Sequence, residues 1–305
     1  MTFETLLVPT DGSDPAERAA ARGLEVADQL GASVHALSVA DSSLATGAGY
    51  SGDSPSIRAK LRATAGDRAT ALGETALDRG LDATTAVREG IPAKEIVEYA
   101  DAHGIDAIAL GTAGRGGAAR AVMGSVADKV VRTAPVPVMT VTPNAAGSDR
   151  TFDSVLLPTD GSETAAAAVA VGLDLAAGLD ATVHPLSVVE TDRSKLLSSL
   201  ASEGTSETLL RDATETVETI ADTARDRGLD TVISVEEGDP AETILEYVDG
   251  ESIGLVAVGT AGRGGFERAL LGSVADEIIR TAPVPVVTVT PEAVSAADRG
   301  SGWTP

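Results

Sequence analysis

The sequence predicts two tandem α/β domains, each a five-stranded parallel sheet with helices on both faces. Long segments of the first half recur in the second at a nearly constant offset. In each half, short apolar runs alternate with amphipathic stretches, and turn residues separate them. The chain has 305 residues, so each copy has about 145, which is enough to bury its own core.

The duplication is clearest in three segments that match nearly residue for residue. The pairs are Thr2–Ser13 with Thr151–Ser162, Ala32–Val39 with Ala181–Val188, and Arg132–Val138 with Arg280–Val286. The offset is 149 in the first pair and 148 in the last, so one residue was lost between them. We predict domains at residues 1–143 and 151–291, a linker at 144–150 rich in small and polar residues, and a mobile tail at 292–305.

The first three strands and two helices follow from turn, cap and periodicity signals. A first strand at Thr5–Val8 ends in the turn PTDG, and a helix at Asp14–Leu30 starts at Ser13 or Asp14 and ends at Gly31. Apolar residues at helical spacing predict a second helix. The further elements expected here are a strand at Val34–Val39, a Gly/Ser-rich loop at Ser42–Pro55, the helix at Ile57–Ala76 and a strand at Thr84–Arg88.

The remaining helices and strands complete the predicted sheet of each half. Proline opens a helix at Pro92–Ala102, and a strand at Ile105–Leu110 leads into a glycine-rich loop. A helix at Val122–Arg132 and a fifth strand at Val136–Val141 complete the copy. The second half repeats this order, with a polar connection at Glu190–Glu207.

Composition excludes several classes of protein. The chain has 46 acidic and 23 basic residues, only four of them Lys, which gives a net charge of −23. Such acidity argues against a nucleic-acid surface and is typical of proteins from salt-rich cytoplasms, although an ordinary acidic protein is the alternative. The absence of cysteine removes disulfides, thiolate zinc sites and thiol nucleophiles. No run approaches membrane-span length, so we expect a cytoplasmic protein without membrane partners.

One glycine pattern occurs twice with the same internal spacing. GTAGRGGAARAVMGS at Gly111–Ser125 returns as GTAGRGGFERALLGS at Gly259–Ser273. Each copy lies between a strand and a helix, where glycines let backbone N–H groups approach a phosphate and the helix start favours negative charge. If the first and fourth strands are neighbours, this loop and PTDG flank one crevice at the carboxyl end of the sheet.

With these motifs, both halves resemble universal stress protein domains of the ATP-binding subgroup. Its signature is Gly, two residues, Gly, nine residues, Gly and then Ser or Thr; PTDGS and APVPV accompany it here. The resemblance implies a Rossmann-like fold of the adenine nucleotide alpha hydrolase type, with ATP between the first and fourth strands. It also implies that domains pair through their fifth strands, and the apolar fifth strands predict this pairing within one chain.

The resemblance assigns roles to residues of the first half. The triphosphate is expected at Gly111, Gly114, Gly124 and Ser125, with Val126 following into the helix. Asp11 is expected near the ribose, with Pro9, Thr10 and the backbone of Val39 around the adenine. Arg115 could offset phosphate charge or be solvated, and Asp11 could instead be only a helix cap.

The same roles recur in the second half. The matching positions are Pro158, Thr159, Asp160, Val188, Gly259, Gly262, Arg263, Gly272, Ser273 and Val274. Mg²⁺ or Mn²⁺ would be bound through the phosphates, since the sequence offers neither a metal-ligand set nor a catalytic residue.

Some polar residues have simpler explanations. His35 and His184, at matching strand positions, are expected to be packing residues, and His103 is expected to complement a helix end. The pairs Asp128–Arg132 and Asp276–Arg280 are spaced four apart and predict surface ion pairs.

The function favoured by these features is a regulatory, ATP-binding stress protein with little or no turnover. A slow ATPase or a phosphoryl- or nucleotidyl-transfer enzyme is the alternative, although the Walker lysine is absent. A protein with vestigial sites is a third reading, and the intact glycines oppose it. ATP is not distinguished from AMP or another adenine nucleotide, and homodimer formation stays open.

The two sites are not expected to be equal. Residues 1–149 carry 19 acids and 13 bases, whereas residues 150–305 carry 27 acids and 10 bases. Ala119 of the first glycine loop corresponds to Glu267 of the second. We therefore expect weaker ATP binding in the second half and a greater dependence on a divalent cation.

Overall fold

The computed structural model describes residues 2–41, 55–113, 123–190, 206–260, 271–290 and 293. They form ten strands in one sheet with the order β3-β2-β1-β4-β5-β10-β9-β6-β7-β8. The strands of each half are parallel, and the two halves meet through an antiparallel pair in the middle. This confirms the predicted α/β class with its two five-stranded units.

The elements of the first half alternate as the sequence predicts. In chain order they are β1 (Thr5–Pro9), α1 (Asp14–Leu30), β2 (Ser33–Asp41), α2 (Pro55–Asp78), β3 (Ala83–Gly90), α3 (Pro92–Ala102), β4 (Ala107–Gly111), α4 (Ser125–Thr133) and β5 (Val138–Val141).

A one-turn 3-10 helix at Ala145–Gly147 then leads into the second half. Its elements are β6 (Ser154–Pro158), α5 (Glu163–Leu179), β7 (Thr182–Glu190), α6 (Ser206–Asp226), β8 (Ser234–Gly238), α7 (Pro240–Gly250), β9 (Leu255–Gly259), α8 (Ser273–Thr281) and β10 (Val286–Val289).

Several predicted boundaries are wrong by one to three residues. Strands β4 and β5 begin two residues later than predicted, at Ala107 and Val138, and helix α2 begins at Pro55, which was predicted as loop. Helix α4 begins at Ser125, not at Val122, because Gly124 is an extended cap residue whose N–H donates to the Thr112 carbonyl 2.7 Å away. Residue 122 itself, the connections at 42–54 and 191–205, and the tail apart from Ala293 lie outside the described residues.

Helices cover both faces of the sheet. One apolar core lies under α1, α2, α5 and α6, and the other under α3, α4, α7 and α8. Each core contains residues of both halves, so the apolar layers run the full width of the sheet. Within the described ranges, no helix combines the length and apolar character needed to span a bilayer.

The junction of the halves is a symmetric ladder between β5 and β10, in which Met139 is paired with Val287. Threonine hydroxyls donate across it in matched pairs: Thr140 to Val286 O at 3.1 Å and Thr288 to Val138 O at 3.0 Å. Each of these four residues is fully buried. The hydroxyls therefore tie together the two strands that join the halves.

Two arginines fasten the linker. The Arg22 guanidinium donates to the Arg150 carbonyl at 2.8 Å and lies 4.4 Å from the Phe152 ring centre. Arg150 in turn donates to the carbonyls of Val248 and Ile253. The last residue of the predicted linker is therefore bound to both halves.

Candidate functional site

The crevice lies where the strand order reverses. β1 pairs with β2 on one side and with β4 on the other, and all three run in the same direction. Their carboxyl ends therefore meet at one edge, where the chain leaves β1 and β4 toward opposite faces of the sheet. β6, with β7 and β9 as its neighbours, repeats the arrangement.

The loop after β1 is fixed by its own polar groups. Thr10 N–H donates to Leu37 O at 2.8 Å, and the buried Ser38 hydroxyl donates to Thr10 O at 2.9 Å. Gly12 N–H donates to Thr10 Oγ1 at 3.0 Å, with φ of +71° at Gly12, a left-handed conformation that favours glycine. The turn is therefore held in one shape beside the half-buried Pro9.

The second half builds the same loop. Thr159 N–H donates to Leu186 O at 2.8 Å, Gly161 N–H donates to Thr159 Oγ1 at 3.1 Å, and Gly161 has φ of +75°. Pro158 ends β6 and is buried. The repeated sequence PTDG therefore specifies a repeated backbone geometry.

Asp11 is not the cap of α1. That role belongs to Ser13, whose hydroxyl oxygen accepts from Ala16 N–H, as Ser162 accepts from Ala165 N–H in α5. Asp11 Oδ1 instead accepts from the N–H and hydroxyl of Ser13, at 3.0 and 2.6 Å. Asp160 Oδ1 accepts from Ser162 N–H at 3.0 Å. Both carboxylates are thus positioned in the loop at the crevice.

The first glycine of each signature lies against a helix. A Cβ on Gly111 would be 3.0 Å from Ala19 Cβ, and one on Gly259 would be 2.6 Å from the Thr164 carbonyl oxygen. These glycines let the start of α1 and of α5 approach the end of the neighbouring strand. Sequence reasoning gave them only a phosphate role.

The last glycine of each signature closes its loop. Gly124 N–H donates to Thr112 O at 2.7 Å, and Gly272 N–H donates to Thr260 O at 2.8 Å. The first amides of the helix that remain outside its i→i−4 ladder are those of Ser125, Val126 and Ala127. Gly124 has no side chain with which to cap them, and Ser125 is exposed.

Apolar residues border the start of the helix. Val39 at the end of β2 and Val126 in α4 are half-buried and pack against the core under α3 and α4. Val188 and Val274 do the same in the second half, and Ser273 is exposed like Ser125. An apolar surface and the first-turn amides of a helix therefore adjoin one crevice in each half.

Four predicted site residues lie outside the described residues. They are Gly114 and Arg115 in the first glycine loop and Gly262 and Arg263 in the second. Glu267 also lies there.

Two arginines at this edge were missed by sequence reasoning. A Cβ on Gly12 would be 2.6 Å from Nε of Arg68, so this side chain of α2 lies against the PTDG loop. Arg88 is paired with Val39 in the strand register. Neither belongs to a motif: Arg68 is brought to the site by the packing of α2 over the PTDG loop, and Arg88 by the pairing of β3 with β2.

The strand histidines are hydrogen-bonded to tyrosines of the neighbouring helices, of which Tyr99 is buried and Tyr247 is half-buried. His35 Nδ1 lies 2.8 Å from the Tyr99 hydroxyl, and His184 Nδ1 lies 3.1 Å from the Tyr247 hydroxyl. Burial lowers the pKa of both imidazoles, and His103 lowers that of His35 further. His103 ends α3 and stacks on Tyr99. The histidines are packed against α3 and α7, as expected.

The predicted helical ion pairs are present. Arg132 Nη2 lies 2.9 Å from Asp128 Oδ1, and Arg280 Nε lies 2.8 Å from Asp276 Oδ2. The hydrogen bond from Arg280 to Asp276 is the main reason why the pKa of Arg280 is raised. All four side chains are partly buried, so these pairs are more enclosed than typical surface pairs.

Comparisons with known proteins give one result. The model of the universal stress protein family matches residues 2–142 and again residues 151–290. The universal stress protein MJ0531 of Methanocaldococcus jannaschii is 34% identical over 139 residues, which cover 46% of this chain and 82% of that protein. The universal stress protein Rv2005c of Mycobacterium tuberculosis is 31% identical over 214 residues, covering 69% of this chain and 70% of that protein.

The fold is also found in a solved structure. A universal stress protein from Archaeoglobus fulgidus superimposes with a TM-score of 0.72 over 95% of this chain and 99% of that chain, at 20% identity. The two-unit sheet, the repeated crevice and the two family matches lead to the same conclusion: the chain belongs to the universal stress protein family, with two tandem copies of its domain.

Proposed function

We propose that this chain is a nucleotide-binding stress-response protein that holds ATP, or a closely related adenine nucleotide, in the crevices of its two halves. Its role is regulatory binding with little or no turnover. Any Mg²⁺ or Mn²⁺ would be held through the nucleotide phosphates.

The observation that carries the proposal is the repeated start of α4 and α8. In each half a helix begins where the strand order reverses, and no described side chain caps its first-turn amides. Beside it lies a loop held by its own threonine and aspartate. Such a helix start stabilises phosphate charge through N–H donors and the helix dipole. The retention of one arrangement in both copies supports a ligand common to both.

The residues present fit an adenine nucleotide. The amides of Ser125, Val126 and Ala127 and the exposed Ser125 hydroxyl can donate to phosphate oxygens. Asp11 offers a carboxylate acceptor for ribose hydroxyls, and the half-buried Val39 offers apolar surface for a base. The second half offers Ser273, Val274, Asp160 and Val188 for the same roles.

A proline at the first helical position tests the phosphate contact. Gly124 has φ of −65° and ψ of 149°, which a residue before proline adopts without strain. Ser125→Pro with Ser273→Pro removes both N–H donors and both hydroxyls but keeps a good helix start. We expect ATP affinity, measured by calorimetric titration, to fall by about tenfold or more per site.

Ser125→Ala with Ser273→Ala is the matched control, because it removes the hydroxyls and keeps the N–H donors. It should weaken binding less than the proline pair while both variants keep the native circular dichroism. Mass spectrometry of material released from the denatured protein should identify an adenine nucleotide. Unchanged ATP titrations in the proline variant would contradict the proposal.

We further propose that the acidity is an adaptation to a salt-rich cytoplasm. At low ionic strength a net charge of −23 is poorly screened and its self-repulsion opposes folding. The melting temperature should rise steadily from low to molar KCl. Sedimentation equilibrium in the same series tests whether two chains form a homodimer.

A further inference from the structure

The carboxyl edge of the sheet carries different charges in the two halves. In the first half, strand register pairs Arg88 of β3 with Val39 of β2. In the second half, the equivalent pair is Glu236 with Val188. A guanidinium beside one crevice is therefore replaced by a carboxylate beside the other.

Arg88 lies on the same face of the sheet as the apolar surface of the crevice. Its guanidinium carbon is 5.5 Å from the ring centre of Tyr99, which is buried in the core that Val39 also contacts. Its Nε is buried without a hydrogen-bond partner among the described residues. Glu236 is exposed, and its Oε1 accepts from the Ser234 hydroxyl at 2.6 Å.

Arg68 reaches the crevice from the other face. Its Nε, Cδ and Cγ would all lie within 2.9 Å of a Cβ on Gly12, so the side chain passes directly over the PTDG loop. Helices α2 and α6 end at equivalent residues, Asp78 and Asp226. Counting back from these ends places Thr216 at the position of Arg68. The Thr216 hydroxyl donates to Asp212 O, within its own helix.

A further arginine lowers the acidity of the first edge. Arg58 Nε lies 3.4 Å from Glu89 Oε1 at the end of β3. At the first edge Arg58, Arg68 and Arg88 face the carboxylates of Asp11, Asp41 and Glu89, whereas the described acidic residues near the strand ends of the second edge are Asp160, Glu190, Glu236, Glu237 and Asp239. An ATP molecule brings several negative charges, which the second edge opposes more strongly than the first.

We infer that the two sites, if they bind nucleotide as proposed above, differ in what neutralises the phosphates. In the first half Arg68 supplies positive charge directly over the PTDG loop, and Arg88 adds to it from the end of β3, so ATP binds there without a divalent cation. In the second half the nucleotide binds only together with a divalent cation. The chain thus has one site that binds ATP with or without metal and one that is occupied only when metal and nucleotide are both present.

Calorimetric titration of the full chain tests this, in KCl at which the chain is folded. With a chelator present, we expect about one ATP per chain, and with Mg²⁺ two. Arg68→Ala should weaken the chelator-resistant binding by about tenfold. Arg62→Ala, which removes the same charge from an exposed position of α2, should leave it unchanged.

Two further measurements separate charge from structure. Adenosine has no phosphate, so Arg68→Ala should leave its affinity unchanged; an equal loss for adenosine and ATP would overturn the charge role. Thr216→Arg with Glu236→Arg should give the second half ATP binding in chelator, and failure to do so in a folded variant would count against the inference.

The outcomes also separate this inference from the proposed function. No ATP bound under either condition would overturn both. Two equal sites in chelator would overturn the inference alone and leave nucleotide binding intact.

Discussion

At the amino edge of the sheet, the residue just before the fourth strand of each half contacts the start of that half's first strand. This residue differs between the two halves. In the first half Asp106 Oδ2 accepts from the N–H groups of Glu4 and Thr5, both at 2.9 Å. In the second half this position is Gly254, whose N–H donates to Ser154 O. A Cβ at Gly254 would overlap the carbonyl oxygen of Thr151.

The difference follows from the backbone that packs against each position. In the second half the linker is fastened by Arg150, and the backbone at Thr151 lies close against Gly254. In the first half the Asp106 carboxylate instead accepts from two N–H groups at the start of β1. Equivalent positions in a duplicated fold are therefore not interchangeable when different backbone packs against them.

The largest effect should come from filling the space at Gly254. Gly254→Ala places a methyl group against the backbone at Thr151, which cannot easily move away because Arg150 fastens the linker. The substitution should therefore destabilise the chain by about 3 kcal/mol or more. Denaturant unfolding measures this change. Asp106→Ala, at the same place in the first half, loses two hydrogen bonds and should cost about 1–3 kcal/mol; equal costs would contradict the comparison.

A smaller contrast is expected where the helices meet the signature strands. Gly259→Ala places a Cβ 2.6 Å from a backbone oxygen, whereas Gly111→Ala places one 3.0 Å from a side-chain methyl group. We expect losses of about 2 kcal/mol and about 1 kcal/mol respectively. Thermal melts of the two variants give the order, and a larger loss at Gly111 would show that α1 lies closer than α5.

The charge of Asp106 gives a pH-dependent prediction. Burial raises the pKa of Asp106, and the two N–H donors only partly oppose this. A raised pKa means that the stabilising contribution is present at acid pH and is lost as the pH rises through the folded-state pKa. Asp106→Asn keeps an acceptor without the charge, so its stability relative to the parent should increase from about pH 4 to pH 7, by less than about 1 kcal/mol. A flat difference in urea midpoints would contradict this.

The smallest effect concerns the two strand histidines, the half-buried His35 and the buried His184. Burial lowers the pKa of both His35 and His184; His103 lowers the first further, whereas Glu251, at the equivalent position, raises the second. Stability held by a lowered histidine pKa is present above about pH 6.5 and is lost as the pH falls through the folded-state pKa.

Exchanging the residues at positions 103 and 251 should exchange the directions in which they shift the pKa values of the two histidines. His103→Glu should raise the pKa of His35 toward its ordinary value, and Glu251→His should lower that of His184. NMR titration of the imidazole signals measures both, and with three histidines in the chain the assignment is simple. Unchanged pKa values would mean that burial alone sets them and would contradict the prediction.

Sequence reasoning succeeded where a local signal fixes the backbone. Helix α1 was predicted to the residue because Ser13, Pro15 and Gly31 define its two ends, and α3 because Pro92 opens it. The alternation of strands and helices followed from apolar runs and turns. These features depend on neighbours in sequence, which a single chain displays directly.

Sequence reasoning failed where contacts between distant segments determine the local structure. The start of α4 is set by a bond between Gly124 and Thr112, and the need for glycine at position 111 is set by the approach of α1. Arg68 enters the site only because α2 passes over the PTDG loop, and Arg88 only because β3 pairs with β2. No periodicity or motif marks such residues, since their neighbours come from tertiary packing.

The antiparallel contact of β5 with β10 has a consequence for how the protein behaves on dilution. Each half alone would present one of these strands as an unpaired edge and would depend on collision with a second molecule to cover it. Tethering by residues 144–150 makes that encounter intramolecular, at an effective concentration of about millimolar for a short connection. Assembly of the central sheet is therefore independent of how much of the protein a cell makes.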